Sequence, residues 1–382
     1  MFKKISLKSN SIINSMELNG KAFARLELHK ENILHNYRYF RSKINDSTKM
    51  LILIKANSYG HGAVEFAKTM EEAGANYFGI AHPWEGVELR QNGIKTPIIV
   101  LTAGVDAFED IVNHYLEPSI PSLEALKLFN SYLEGRNIAS YPVHIKLDTG
   151  MHRLGFMENE LPALLDFLKS NPRVEVKSIF SHLAASDDPQ HNEFTLGQIA
   201  LYNKMAPQID AALGYKPIHH ILNSAGIERF SEYQMDMVRL GVGIYGISAV
   251  DQALVKPAAS FKCDILQIKE LVPEDGTVGY GRHGKIPQPI KIATIPVGYA
   301  DGINRHLGRG NVKFMLNGKR VPTIGNICMD MCMIDITGVD AKVGDTVTLF
   351  GEEPSANEVA NILGTIPYEV FTSVARRVRR EK

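Results

Sequence analysis

Lys55 closes the apolar run MLILI and opens the glycine-containing turn ANSYGHG. A lysine at such a place is partly withdrawn from water, which lowers its pKa and frees a neutral amine to form a Schiff base with a carbonyl compound. By spacing alone it also reads as a solvent-facing lysine at a strand end. His182, Ser224 and Arg239 stand at or just beyond the ends of three other apolar runs, and Arg153 follows a fourth, VHIKLD. An imidazole, a hydroxyl and two fixed cations are the side chains that move protons and hold anions. Cys328 and Cys332 form C-x-x-x-C, but no further ligand at zinc spacing accompanies them, so both read as buried strand residues and no metal is expected. The G-V-G at 241–243 lacks the full G-x-G-x-x-G and the setting of a dinucleotide fingerprint.

Those polar groups need elements to aim them. Eight short apolar runs recur at 51–57, 76–81, 96–102, 117–122, 143–148, 176–184, 218–224 and 237–246. Amphipathic stretches such as AVEFAKTMEEAG and LEALKLFNSYLEG lie between them, with apolar residues at helical spacing. Eight βα units predict a (β/α)8 TIM barrel, whose catalytic groups collect at the C-terminal ends of the strands. Past Val250 short strands follow one another without helices, which predicts a C-terminal mostly-β domain. The expected division is a flexible tail over 1–16, the barrel over 17–255 and the β domain over 256–382, joined near Lys256-Pro257. The tail carries Lys3, Lys4 and Lys8 but no continuous apolar segment, so a secretory signal is not expected.

The 382 residues hold 42 Lys plus Arg against 42 Asp plus Glu, so no net field draws nucleic acid or an anionic membrane. With 45% hydrophobic and 22% charged residues the chain is neither disordered nor fibrous. Three cysteines suit a reducing compartment, and no apolar run approaches a membrane span. A cytoplasmic protein is expected.

IKANSYGHG resembles the pyridoxal-phosphate lysine motif of the alanine racemases. HIKLDTGMHRLG, SHLAASDD, HHILNSAG, MVRLGVGIYG, VGYGRHG, IPVGYADG and NICMDMCMIDIT resemble further blocks of that family in the same order, across about 280 residues. The resemblance implies fold type III, pyridoxal 5'-phosphate as cofactor, and a bacterial enzyme that supplies D-alanine for peptidoglycan. It also implies a homodimer whose active site is shared between subunits. Inverting a stereocentre takes a proton from one face and returns one to the other, so two groups on opposite faces are the simplest solution. Lys55 would hold the cofactor and serve one face; Tyr280 of the second subunit would serve the other. An ordinary tyrosine has a pKa of about 10, so the phenol needs help, which the resemblance assigns to cationic Arg153 and His182.

By the same resemblance Arg239 faces the pyridine nitrogen, with His220 rather than the adjacent His219 behind it. Tyr59, Ser224 and the backbone of Gly241 and Val242 hold the phosphate. Arg153, Tyr299 and Met329 bind substrate or line its entrance, and Lys146 occupies the place of a carbamylated lysine that pairs with the arginine. One position departs from the pattern. In IPYEVFTSVARRVRR, where the family block has a tyrosine touching phosphate and substrate pocket, this chain has Arg376. Arg376 could pair with the phosphate or point away, and a racemase of serine or of several amino acids is the second reading. A cofactor-carrying protein of the same barrel would lack residues 260–382, and a decarboxylase of this fold type is less suited to the tyrosine of VGYGRHG and the arginine of DTGMHRLG.

Overall fold

A computed structural model describes residues 24–381; the expected tail over 1–16 lies outside the described residues. Eight strands form one parallel sheet: β2 (Lys49–Leu53), β3 (Tyr77–Ile80), β4 (Ile98–Val100), β5 (Glu117–Ile120), β6 (Tyr141–Lys146), β7 (Val174–Phe180), β8 (Ile218–His220) and β9 (Met237–Leu240). Each falls on one of the eight apolar runs. Their order is β8-β7-β6-β5-β4-β3-β2-β9, and the circuit is completed by N–H groups of Asp236 and Arg239 donating to the carbonyls of His219 and Leu222. The strands read as continuous apolar runs because both faces of a barrel strand are covered. Met50, Leu51 and Ile52 in β2 are all fully buried.

Between the strands the helices show the stripe that their sequences predict. Ala63–Glu72 buries Ala63, Phe66, Ala67 and Met70, the i, i+3, i+4, i+7 positions of one face. Leu123–Gly135 begins where the Ser122 hydroxyl accepts the Ala125 N–H, an N-cap that satisfies one of the helix's orphan donors.

The second unit is mostly β. A nine-stranded sheet runs β11-β14-β17-β16-β15-β18-β10-β1-β19. Its members are β1 (Ala24–Leu28), β10 (Ala259–Asp264), β11 (Gln267–Leu271), β14 (Ile290–Ile295), β15 (Lys313–Leu316), β16 (Lys319–Ile324), β17 (Cys332–Asp335), β18 (Thr346–Phe350) and β19 (Arg379–Glu381). A small hairpin, β12 (Thr277–Val278) with β13 (Gly284–Lys285), stands apart from it. β1 belongs here because it pairs in parallel with β19, and because the buried Arg25 guanidinium donates to Glu27 at 2.8 Å and Asp264 at 3.1 Å. Conversely, Thr365–Ser373 groups with the barrel unit, Leu28–Ala259, rather than with Ser260–Gly364. Cys332 is buried in β17 as expected, whereas Cys328 lies half-buried in the turn before it, where Asn326 and Cys328 take loop conformations. Among the described residues no helix is long and apolar enough to cross a membrane.

Candidate active site

Lys55 sits two residues beyond β2, and the chain then turns with the opposite hand to an ordinary helix. Ala56, Asn57, Ser58 and Tyr59 all have φ between 50 and 55°. Non-glycine residues in that region cost about 1–2 kcal/mol each, so the turn must be held from outside. Glu85 does part of this: one carboxylate oxygen accepts the Ala56 N–H at 2.5 Å and the other accepts the N–H groups of Ala81 and His82. The Asn57 side chain accepts from the Ala63 N–H at 2.9 Å. The Lys55 pKa is lowered, first by burial and then by the nearby charge of Arg153, with Glu85 pulling the other way.

Four more predicted residues surround the same barrel mouth. Lys146, at the end of β6, lies over the Phe180 ring at 5.8 Å; burial, Arg153 and Arg239 bring its pKa to about 8. Arg239, buried in β9, donates through Nη2 to the carbonyls of Ser181 at 2.6 Å and Ile221 at 2.9 Å, and through Nη1 to His220 Nδ1 at 2.8 Å. Its Nε–H makes no hydrogen bond among the described residues. The alternation of β8 separates the two histidines: His220 turns to the barrel interior, while His219 turns outward to Asp210 of the helix Asn192–Leu213 at 2.9 Å. His182 Nδ1 lies 3.3 Å from Arg239 Nη2. Burial, then Arg239 and Arg153, hold its pKa well below the ordinary value, so His182 is a neutral imidazole and not the cation that the sequence reading expected. With Nδ1 facing an obligate donor, its proton sits on Nε2.

A third group lies where β8 and β9 end. The Ser224 hydroxyl oxygen accepts the N–H groups of Gly241 at 2.9 Å and Gly243 at 3.2 Å, which leaves its own proton to donate. A Cβ on Gly241 would come 3.3 Å from the Tyr59 hydroxyl and 3.7 Å from Ser224 Oγ, so all three border one small space. The Val242 N–H has no partner among the described residues. The Tyr59 and Ser224 hydroxyls and the Val242 N–H thus line, beside Gly241 whose own N–H is taken by Ser224, a cradle for a small anion.

Arg153, exposed in the bend after β6, belongs to the barrel unit; the other predicted residues belong to the β unit. Tyr280, Tyr299 and Met329 are exposed there, Tyr280 by 71% of its surface. Tyr280 follows β12 between two glycines of positive φ, and its carbonyl accepts from Asn326 Nδ2 at 2.7 Å. Arg376 is exposed, and its charge adds to burial in lowering the pKa of Arg380.

Family models for the alanine racemase N-terminal and C-terminal domains match residues 28–249 and 258–382. An alanine racemase 2 of Caldanaerobacter subterraneus subsp. tengcongensis is 35% identical over 93% of this chain and 94% of its own. An alanine racemase of Clostridium kluyveri is 36% identical over 92% of both chains. Among solved structures, an alanine racemase of Clostridium difficile 630 superposes with a TM-score of 0.88 at 34% identity, covering 94% of this chain and 95% of the other. The chain belongs to the alanine racemase family. It is therefore an amino-acid racemase, an isomerase built on the barrel and β domain described above.

The alanine racemase site has members that the sequence did not single out. Glu85 contacts the Lys55 turn only through a backbone N–H; its one signal is an acid in the first turn of Pro83–Gln91. Tyr368 places its ring 5.7 Å from that of Tyr59, and Tyr245 lies 4.7 Å away on another side. Both support the ring whose hydroxyl faces the cradle. The three donor groups suit the three parts of a pyridoxal phosphate: an amine of lowered pKa for its aldehyde, the Arg239 Nε–H for an unprotonated ring nitrogen, and the cradle for its phosphate. The residues fit the cofactor.

Proposed function

We propose that this chain interconverts L-alanine and D-alanine with pyridoxal phosphate bound at the mouth of the barrel. The observation that carries the reading is the arrangement of Lys55, the Arg239 Nε–H and the Tyr59–Ser224–Gly241–Val242 cradle around one barrel end. The cofactor, when bound, spreads the electron pair left at Cα once its proton is removed. Lys55 tethers the cofactor and, displaced by substrate, holds or returns the proton on the D face of Cα. Its lowered pKa keeps the amine available as a base. Tyr280 of the partner subunit serves the L face, which makes the working unit a homodimer with a shared site. Arg239 keeps its own proton, so it donates to the ring nitrogen rather than protonating it, and the electron sink is moderated.

Around the substrate, Arg153 supplies fixed positive charge for the carboxylate and for a developing phenolate. His182, being neutral, assists by a hydrogen bond from Nε2 rather than by charge. Lys146, carbamylated, would give Arg153 an anionic partner, while Tyr299 and Met329 line the entrance. The resemblance supports a cytoplasmic role in supplying D-alanine for peptidoglycan.

The test is the decay of the circular-dichroism signal of L-alanine with the cofactor-loaded protein, together with Cα proton exchange from each enantiomer. Tyr280→Phe is expected to retain bound cofactor, abolish net racemisation and suppress exchange from L-alanine far more than from D-alanine. Equal exchange from both enantiomers in that variant would overturn the two-base assignment. A second reading, preference for serine, is favoured by Arg376 in place of the family tyrosine. Faster decay with L-serine than with L-alanine would select it, and Arg376→Tyr is then expected to shift the ratio back toward alanine.

A further inference from the structure

Behind Arg239 a line of buried polar side chains crosses the barrel interior. Arg239 Nη1 is 2.8 Å from His220 Nδ1, His220 Nε2 is 2.9 Å from Ser178 Oγ, Ser178 Oγ is 2.6 Å from His144 Nδ1, and His144 Nε2 is 2.8 Å from Glu117 Oε2. The five residues lie on five different strands: β9, β8, β7, β6 and β5. His144, Ser178 and His220 are shut away from solvent, and Glu117, the first residue of β5, keeps 15% of its side chain exposed.

With both imidazoles neutral, proton accounting leaves one consistent arrangement. A guanidinium can only donate, so His220 Nδ1 must accept and the His220 proton sits on Nε2. That proton goes to Ser178 Oγ. The Ser178 hydroxyl, having accepted, donates onward to His144 Nδ1, which places the His144 proton on Nε2, facing the Glu117 carboxylate. In it every donor along the line points from Arg239 toward Glu117, and a positive charge at one end is matched by a negative one at the other. Burial and Arg239 hold the His220 pKa well below its ordinary value, in agreement with a neutral ring. The Phe180 ring, stacked on His220 at 4.9 Å and 6°, fixes the imidazole plane. At the far end the charge of Arg90 interacts favourably with Glu117. A half-satisfied line of this kind would be worse than an apolar core.

We propose that Glu117 is a positioning residue for the cofactor end of the site. Through His144 and Ser178 it fixes the tautomer of His220, and so holds Arg239 as a cationic donor whose Nε–H is left for the cofactor's ring nitrogen. The inference rests on the proposed cofactor site, but its first test does not. If Ser178 is removed, His220 Nε2–H loses its acceptor and the ring can move its proton to Nδ1. Two donors would then face each other at Arg239, and the guanidinium would be displaced.

The experiment uses the full chain with nitrogen-15 in its histidines, the His144 and His220 resonances being assigned from the His144→Gln and His220→Gln proteins. In the wild-type protein both rings are expected as neutral Nε2–H tautomers, with slowly exchanging Nε2 protons. In Ser178→Ala and Glu117→Ala these signals are expected to shift toward mixed tautomers, while Glu117→Gln, whose amide oxygen still accepts, restores the wild-type pattern. For cofactor-loaded enzyme the two alanine variants are expected to lower kcat about tenfold with KM nearly unchanged, and Glu117→Gln to recover most of it. A cationic or Nδ1–H His220 in the wild-type protein would overturn the proposal whatever the variants do. Unchanged tautomers and kcat in both alanine variants would overturn it equally. Because the wild-type tautomers are read without turnover, they decide this inference even if the loaded protein racemises nothing, a result that would count against the proposed function alone.

Discussion

Lys146 is buried beside two guanidinium groups, and the combined effect of burial, Arg153 and Arg239 brings its pKa to about 8 from an ordinary 10.5. An amine so placed loses its ammonium proton in mild alkali and can add carbon dioxide: the nitrogen–carbon bond forms, a second proton leaves to solvent, and the neutral amine becomes a carbamate anion that Arg153 can pair. Carbamylation of Lys146 is therefore expected to grow as the pH rises through about 8, with a carbamate signal appearing after incubation with carbon-13 bicarbonate and absent in Lys146→Ala. Wild-type protein without that signal above pH 8 would remove the assignment. The sign of the linked stability follows from the same shift. Between about 8 and 10.5 the folded state holds fewer protons on Lys146 than the unfolded chain, so the unmodified protein gains stability as the pH rises through that window. At this scale the sequence disclosed residues at the ends of apolar runs, such as Lys55 and Ser224, and an arginine within one, Arg239. It did not disclose the charge on His182, which depends first on burial and then on a guanidinium 57 positions away in the chain and 3.3 Å away in space. Nor could it disclose Glu85, whose partner is a main-chain N–H.

The eight strands of the barrel were legible because a strand covered on both faces leaves a continuous apolar run. The turn after β2 was not. Nothing in Ala56, Asn57, Ser58 or Tyr59 demands positive φ, and its hand is imposed by contacts made afterwards with Glu85 and with the helix Pro367–Ser373. Gly60 is where that helix presses on the turn. It has φ +82°, and a Cβ there would stand 2.2 Å from the main-chain oxygen of Phe371. Gly74 has a similar φ of +90° but nothing within 4 Å of its Cβ position. Gly74→Ala is thus expected to cost only the conformational term, about 1 kcal/mol. Gly60→Ala is expected to cost roughly 3 kcal/mol or more, because a backbone oxygen cannot swing aside as a side chain can. Denaturant midpoints of the two variants check the difference, and the visible absorbance of bound cofactor reports whether the Lys55 turn is disturbed by the first alone. Equal stability losses would mean that the contact with Phe371 does not hold the turn.

At the scale of the whole molecule the sequence conveyed two units but not how the chain is apportioned between them. β1 is drawn into the β sheet by its pairing with β19, a partner more than 350 residues away, and such a pairing leaves no local mark. The more consequential question is whether the proposed site takes Tyr280 from a second subunit. The residue is 71% exposed, held in a glycine-bounded turn with its carbonyl fixed by Asn326 while its ring remains uncovered. A catalytic phenol that its own unit leaves uncovered is what a shared site requires. If Lys55 and Tyr280 of one working site come from different subunits, two defective chains must repair each other. Lys55→Ala homodimers are expected to be inactive, and Tyr280→Phe homodimers nearly so. Unfolding and refolding the two together at equal concentration makes half of the dimers mixed, and each mixed dimer carries one intact site and one doubly defective site. Recovery of about a quarter of the wild-type activity is the expected result. A site completed within one subunit would recover nothing, since every mixed dimer would then hold one site lacking Lys55 and one lacking the Tyr280 hydroxyl.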